Sequence, residues 1–202
     1  MAQSDGELLA LLATNLDGYF KQLVLSYQQR LYTFVLRQTG SFQDAEDIVQ
    51  EAIANHSTTL TKHTISYRVD HANRPYMLNG DKDRLHQIFG NLLQNAIKYS
   101  PLGGPITVSI SHIHRVDTDH SCNIEVCIED KGIGVPKDAQ PYLFERFFRA
   151  HNTGGTQTRG VGLGLYVVAE FLRLHNGTIR VESNGIVGEG SRFILTLPSL
   201  ES

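Results

Sequence analysis

An α+β fold is predicted for residues 57–202 of this chain, with a helical segment at 1–56 ahead of it, and three patterns carry the prediction. Residues 7–36 and 45–54 place apolar side chains at helical spacing. The stretches 65–69, 106–113, 123–129, 178–181 and 193–197 alternate in polarity or form short apolar runs, as strands do. Two longer stretches, 85–99 and 163–174, return to helical spacing between those strands.

Taken in order, the first helical stretch presents Leu16, Tyr19, Phe20, Leu23, Val24, Tyr27, Leu31, Phe34 and Val35 on its apolar positions, and Gly40 breaks it. Ser41 offers an N-cap oxygen with Asp44 three residues on, so a helix is expected over Ala45–Ala54 with Ile48, Val49, Ala52 and Ile53 as its stripe. The polar run Asn55 to Lys62 is the expected linker. Ile65, Tyr67 and Val69 then alternate with polar neighbours. Asn79-Gly80 reads as a turn after the apolar pair Tyr76 to Leu78, and a helix is expected to begin near Asp81. That helix buries Leu85, Ile88, Phe89, Leu92, Leu93, Ala96 and Ile97, and Pro101 forbids its continuation. Leu143 to Arg149 is expected to be helical, and Asn176-Gly177 closes the helix at 163–174.

Composition narrows the function. The 202 residues are 41% hydrophobic and 19% charged, the balance of an ordinary soluble globular protein. A net charge of -3 gives no reason to expect nucleic-acid binding through bulk electrostatics. The acids are uneven: residues 1–56 hold seven of the 21 acids and three of the 18 bases. The longest early apolar run, Leu8 to Ala13, is too short to span a bilayer and lacks the basic flank of a signal peptide, so no membrane association and a cytoplasmic location are expected. Cys122 and Cys127, five residues apart on one strand, point to opposite faces and cannot bridge, which suits a reducing compartment.

Four short segments carry chemistry. Asn91, Asn95 and Lys98 are spaced to share one helix face, opposite the apolar stripe. Carboxamide oxygens are hard neutral ligands of the kind magnesium accepts while it bridges phosphates, and a lysine one turn on can neutralise phosphate charge. Asp130 ends an alternating strand and is followed by Gly132 and Gly134, which leave room for close approach of a flat ligand. A carboxylate there can accept a hydrogen bond from an exocyclic amine, which adenine has and guanine lacks at that position. Gly160, Gly162 and Gly164 open an amphipathic helix whose free N–H groups can face phosphates. No βαβ unit with a downstream acid surrounds them and no Gly-Lys-Ser/Thr follows, so neither the dinucleotide fingerprint nor a Walker A loop is present. The polar stretch Ala150 to Arg159 before them, with Gly154-Gly155, has the composition of a lid. Phe144, Phe147 and Phe148 lie between the Asp130 turn and this stretch, as core residues or as a latch. Each segment alone is compatible with a solvated helix face or an ordinary turn.

In this order, the segments Asn91 to Tyr99, Asp130 to Gly134, Leu143 to Arg149 and Gly160 to Leu165 resemble the N, G1, F and G2 boxes of the ATP-binding catalytic domain of sensor histidine kinases, in the Bergerat-fold ATPase superfamily. The resemblance runs from about Ser57 to Pro198. It implies a two-layer sandwich, a mixed sheet with helices on one face, and it implies ATP and magnesium as ligands. By the same resemblance Asn95 would hold the metal, and Asn91 and Lys98 would act near the phosphates. Tyr99 would border the nucleotide, Asp130 would bind adenine, and Gly132 and Gly134 would let ATP approach. Arg149 would reach the phosphates, and Gly160, Gly162 and Gly164 would anchor the lid.

One position sorts the superfamily. Members that hydrolyse ATP or phosphorylate serine resemble one another in a glutamate four residues before the magnesium asparagine; here that position is Asn91, which cannot act as a base. A neutral imidazole needs no base, so histidine phosphorylation is the expected reaction. None of the nine histidines is followed by an acid, unlike the phosphoacceptor of a complete sensor kinase, so transfer is expected in trans to a histidine on a partner.

Residues 27–52, and above all Asp44-Ala-Glu-Asp-Ile-Val-Gln-Glu-Ala52, resemble the start of region 2 of extracytoplasmic-function sigma factors. That resemblance implies a docking surface for RNA polymerase, without the promoter-opening aromatics. Two functions follow: a histidine kinase domain acting in trans, or a non-enzymatic regulator whose nucleotide occupancy switches binding to RNA polymerase or a sensor kinase.

Overall fold

The computed structural model describes residues 41–57, 62–70, 75–114, 122–150 and 161–200. The expected helices at 7–36, residues 58–61 of the expected linker, and the segment 151–160 with Gly160 lie outside the described residues. The compact unit that contains every described residue begins at Gly40.

Seven strands and three α-helices are described: β1 (Ser41–Asp44), α1 (Ala45–Ser57), β2 (His63–Val69), β3 (Met77–Gly80), α2 (Lys82–Lys98), β4 (Gly104–His114), β5 (Cys122–Glu129), α3 (Gly164–Leu174), β6 (Thr178–Glu182) and β7 (Arg192–Pro198). Five strands form one mixed sheet in the order β2-β4-β5-β7-β6. Only β2 and β4 run parallel; the other pairs are antiparallel. The helices cover one face, and the expected two-layer α+β arrangement is what the chain adopts.

The sheet is amphipathic in the way its alternation demands. Ile106, Val108 and Ile110 of β4, Ile124, Val126 and Ile128 of β5, and Phe193, Leu195 and Leu197 of β7 all enter one core with the helices. The other face carries charge pairs, such as Arg192 with Glu182 at 2.8 Å and Arg180 with Glu125 at 3.4 Å. Cys122 and Cys127 are both buried and unbridged.

Helix α2 is the centre of the helical layer. Asp81 caps it, its carboxylate accepting from the N–H groups of Asp83 and Arg84 at 3.0 and 3.2 Å. Its expected stripe is buried from Leu85 to Ala96, and Ile97 packs at the margin.

Three local expectations are corrected. Ser41 does not cap a helix: Ser41–Asp44 is a strand paired antiparallel with Met77–Gly80, and Asp44 accepts from the Glu46 N–H at 2.9 Å. Asn79-Gly80 accordingly lies inside a strand rather than in a turn, opposite Phe42 and Ser41. Leu143 to Arg149 is not helical; a single 3-10 turn at Gln140–Tyr142 leads into irregular backbone, with Phe147 at φ 63°. The two apolar runs at that point have the spacing of a helix, but the left-handed residue breaks it.

The stripe of α1 is as expected, yet it does not belong to a separate unit. Ala45, Ile48, Val49 and Ala52 are buried in the same cluster as α2 and the sheet. Glu51 bonds Lys82 at 3.1 Å and His86 at 3.0 Å across to α2.

Phe89 is 1% exposed at the middle of this layer. Phe89→Ala is expected to lower unfolding free energy by about 3–5 kcal/mol, measured by denaturant titration, through lost burial and the cavity left behind.

Candidate nucleotide site

A cavity of about 450 Å³ opens between α2, the end of β5 and the turn that precedes α3. Its helical wall is the polar face of α2: Asn91, Gln94, Asn95, Lys98 and Tyr99. Burying the opposite stripe forces these side chains outward, because α2 is wide enough to serve two environments at once. The Lys98 ammonium lies 5.1 Å from the Tyr99 ring centroid.

Asp130 sits at the floor, 2% exposed. The Ser191 hydroxyl donates to its Oδ2 at 2.6 Å, the Gly132 N–H to its Oδ1 at 2.8 Å, and the Ser100 hydroxyl to Oδ1 at 3.4 Å. Burial pushes the carboxyl pKa above its ordinary value, and the donors, Ser191 first, pull it partly back. Ile133, Gly134, Val135, Leu143 and Phe193 supply apolar walls near it. A carboxylate acceptor framed by apolar surface is suited to a flat, amine-bearing ring.

The rim is built from two segments that touch. Phe148, Arg149 and Ala150 face the cavity from one side, and Val161 to Leu165 from the other. The Phe147 N–H donates to the Gly162 carbonyl at 3.0 Å. Gly162 has φ 76°, and a Cβ there would meet Phe147 C at 2.8 Å, so only glycine lets the two backbones meet.

Thus Asn91, Asn95, Lys98, Tyr99, Asp130, Gly134, Arg149, Gly162 and Gly164 all line one cavity. Gly132 does not; a Cβ on it would lie 2.1 Å from the Tyr99 carbonyl, and its smallness instead lets the turn dock on the end of α2. Among the aromatics, Phe148 lines the cavity and Phe144 packs against the core.

Ser191, Phe193, Ser100 and Gln94 were missed as site residues. Gln94 shares the face of Asn91 and Asn95, so helical spacing could have included it. Phe193 lies in β7 and Ser191 immediately before it, some sixty residues beyond Asp130, and no local pattern marks them.

Among the described residues, no group of three or more His, Cys, Asp or Glu side chains could hold a metal alone. The neutral carboxamides of Asn91 and Asn95 beside Lys98 are oxygen donors of the kind that suits a cation arriving with phosphates and keeping water, as magnesium does.

Comparisons with known proteins bear on the family and the fold. Residues 80–201 match the family described as histidine kinase-, DNA gyrase B-, and HSP90-like ATPase. The sensor-like histidine kinase SenX3 of Mycolicibacterium smegmatis is 41% identical over 155 residues, 77% of this chain and 38% of SenX3. The chain thus spans well under half the length of that relative. The mycobacterial sensor histidine kinase MprB superposes with a TM-score of 0.68 at 27% identity, covering 79% of this chain and 98% of that one. Full-length ShkA in complex with AMPPNP superposes with a TM-score of 0.64 at 25% identity, over 83% of this chain and 33% of ShkA.

Asp130 also predicts a pH dependence. Its folded pKa lies above the reference 3.8, so the protonated form is favoured by folding. Stability of the ligand-free protein should fall as pH rises from about 3.8 through the raised value, and this loss should be absent in Asp130→Asn. Denaturant unfolding across a pH series checks the sign.

Proposed function

The chain belongs to the histidine kinase-, DNA gyrase B-, and HSP90-like ATPases, and from that premise we propose that it binds ATP with magnesium and transfers the γ-phosphoryl group to a histidine outside these 202 residues, in trans on a partner. The observation that supports this most is the single cavity shared by Asp130 and the polar face of α2.

In this reading Asp130 accepts from the adenine amine, and Ser191, Gly132 and Ser100 keep its oxygens aimed. Gly134 leaves room for the ring and Tyr99 borders it. Asn95 would hold magnesium, which supplies charge neutralisation across the phosphates. Asn91 and Lys98 would orient and neutralise the γ-phosphoryl group, with Arg149 reaching it from the rim and Gly160, Gly162 and Gly164 tying down the segment between. The neutral imidazole nitrogen of the partner attacks the γ-phosphorus and the bond to the bridging oxygen breaks, leaving ADP. No protein base has to take a proton before attack, which suits asparagine at position 91.

For residues 27–52, a contact with RNA polymerase would rest on the exposed side of α1, where Asp47 and Gln50 face solvent. The apolar stripe of that helix is already covered by α2, and Glu51 is engaged with Lys82 and His86. The exposed side of α1 is therefore small and acidic, and the kinase reading is preferred over a nucleotide-switched regulator.

Calorimetric titration of ATP with magnesium tests the site. Asp130→Asn should weaken ATP about 10- to 100-fold, the loss of a charge-assisted hydrogen bond, and equal affinities would remove the adenine assignment. Incubation with γ-labelled ATP and separately produced histidine-bearing helical hairpins tests the transfer: label on a hairpin histidine is the expected result, and no transfer to any hairpin argues for the regulator.

A further inference from the structure

We propose that Arg146 and Tyr166 form a clasp that positions the phosphate-side rim of the cavity, and thereby sets preference for a triphosphate over the bare nucleoside. The inference rests on the ATP reading above. Neither residue lines the cavity, and neither was singled out by the sequence.

The Arg146 guanidinium lies 4.6 Å from the Tyr166 ring centroid. Its Nη2 also donates to the Tyr166 hydroxyl at 2.5 Å. Arg146 stands immediately before Phe147, whose φ of 63° is unfavourable for a residue with a bulky side chain. Tyr166 stands in the first turn of α3, four residues after Gly162. The two segments are thus tied twice: Phe147 N–H to the Gly162 carbonyl at 3.0 Å, and Arg146 to Tyr166.

The strained Phe147 persists only if neighbouring contacts hold it. What it determines is the course of the next two residues, Phe148 and Arg149, which do face the cavity. Releasing the Arg146 side would let Phe147 relax and would swing Arg149 away from the phosphates. The base end is held by a separate set of hydrogen bonds, those of Asp130 with Ser191, Gly132 and Ser100. The effect is therefore confined to the phosphates, and Arg146 is a positioning residue, not a catalytic one.

The test compares ATP and adenosine binding by calorimetry in the full chain for Arg146→Ala, Tyr166→Ala and Tyr166→Phe, with amide hydrogen exchange at Phe147 as a ligand-free readout. Arg146→Ala and Tyr166→Ala should speed exchange at Phe147 and weaken ATP about 3- to 5-fold, the worth of an exposed cation–π contact, with adenosine unchanged. Tyr166→Phe keeps the ring and should fall between. Faster exchange with unaltered ATP affinity would overturn the proposal, as would equal weakening of ATP and adenosine. Failure of the unmodified protein to bind either ligand would instead sink the ATP reading, while the exchange data would still report whether the clasp exists.

Discussion

Helix α2 has to satisfy two neighbours with one sequence, and the rest of the molecule follows from that. Its stripe from Leu85 to Ala96 closes the core against the sheet, and its other face must then look outward. Because Asn91, Asn95 and Lys98 repeat at the same period as the stripe, packing the core also aims the polar groups. Stability and ligand geometry are set by the same rotation of one helix about its axis. Any slip that exposed Leu92 would also turn Asn91 and Asn95 out of the cavity.

Against that wall the sheet delivers a single carboxylate. Asp130 is placed where β5 ends, and the cost of burying it is offset by donors from three separate places: just after α2, the turn after β5 and just before β7. A buried acid so held has little freedom to rotate, which is what recognition of one ring edge requires. Its raised pKa means that the ligand-free protein carries the site at some expense of stability. The close docking of Gly132 on the Tyr99 carbonyl, with Ile133 N–H donating to that carbonyl at 2.9 Å, joins the two walls into one frame.

The opposite rim is built by different means. There is no helix at Leu143 to Arg149, and order comes from contacts between two irregular segments: Phe147 against Gly162, and Arg146 against Tyr166. These hold by a few directional contacts at the surface, so this rim is supported more weakly than the Asp130 side.

By itself the sequence determined the strand and helix periods, the buried stripe of α2, its start near Asp81 and the outward face with Asn91, Asn95 and Lys98, because each depends on neighbours within a turn or two. It also determined that Asp130 follows a strand and that glycines surround the site. Tertiary structure alone decided three matters. It paired β1 with β3 and placed α1 in the main core, which depends on residues more than thirty positions apart. It assigned Ser191 and Phe193 to the pocket, since only the β5–β7 pairing brings them beside Asp130. And it turned an apparent helix at Leu143 to Arg149 into a left-handed kink, because contact with Gly162 outweighs the local preference of Phe147, and no local period can report a contact that the chain makes only after it has folded.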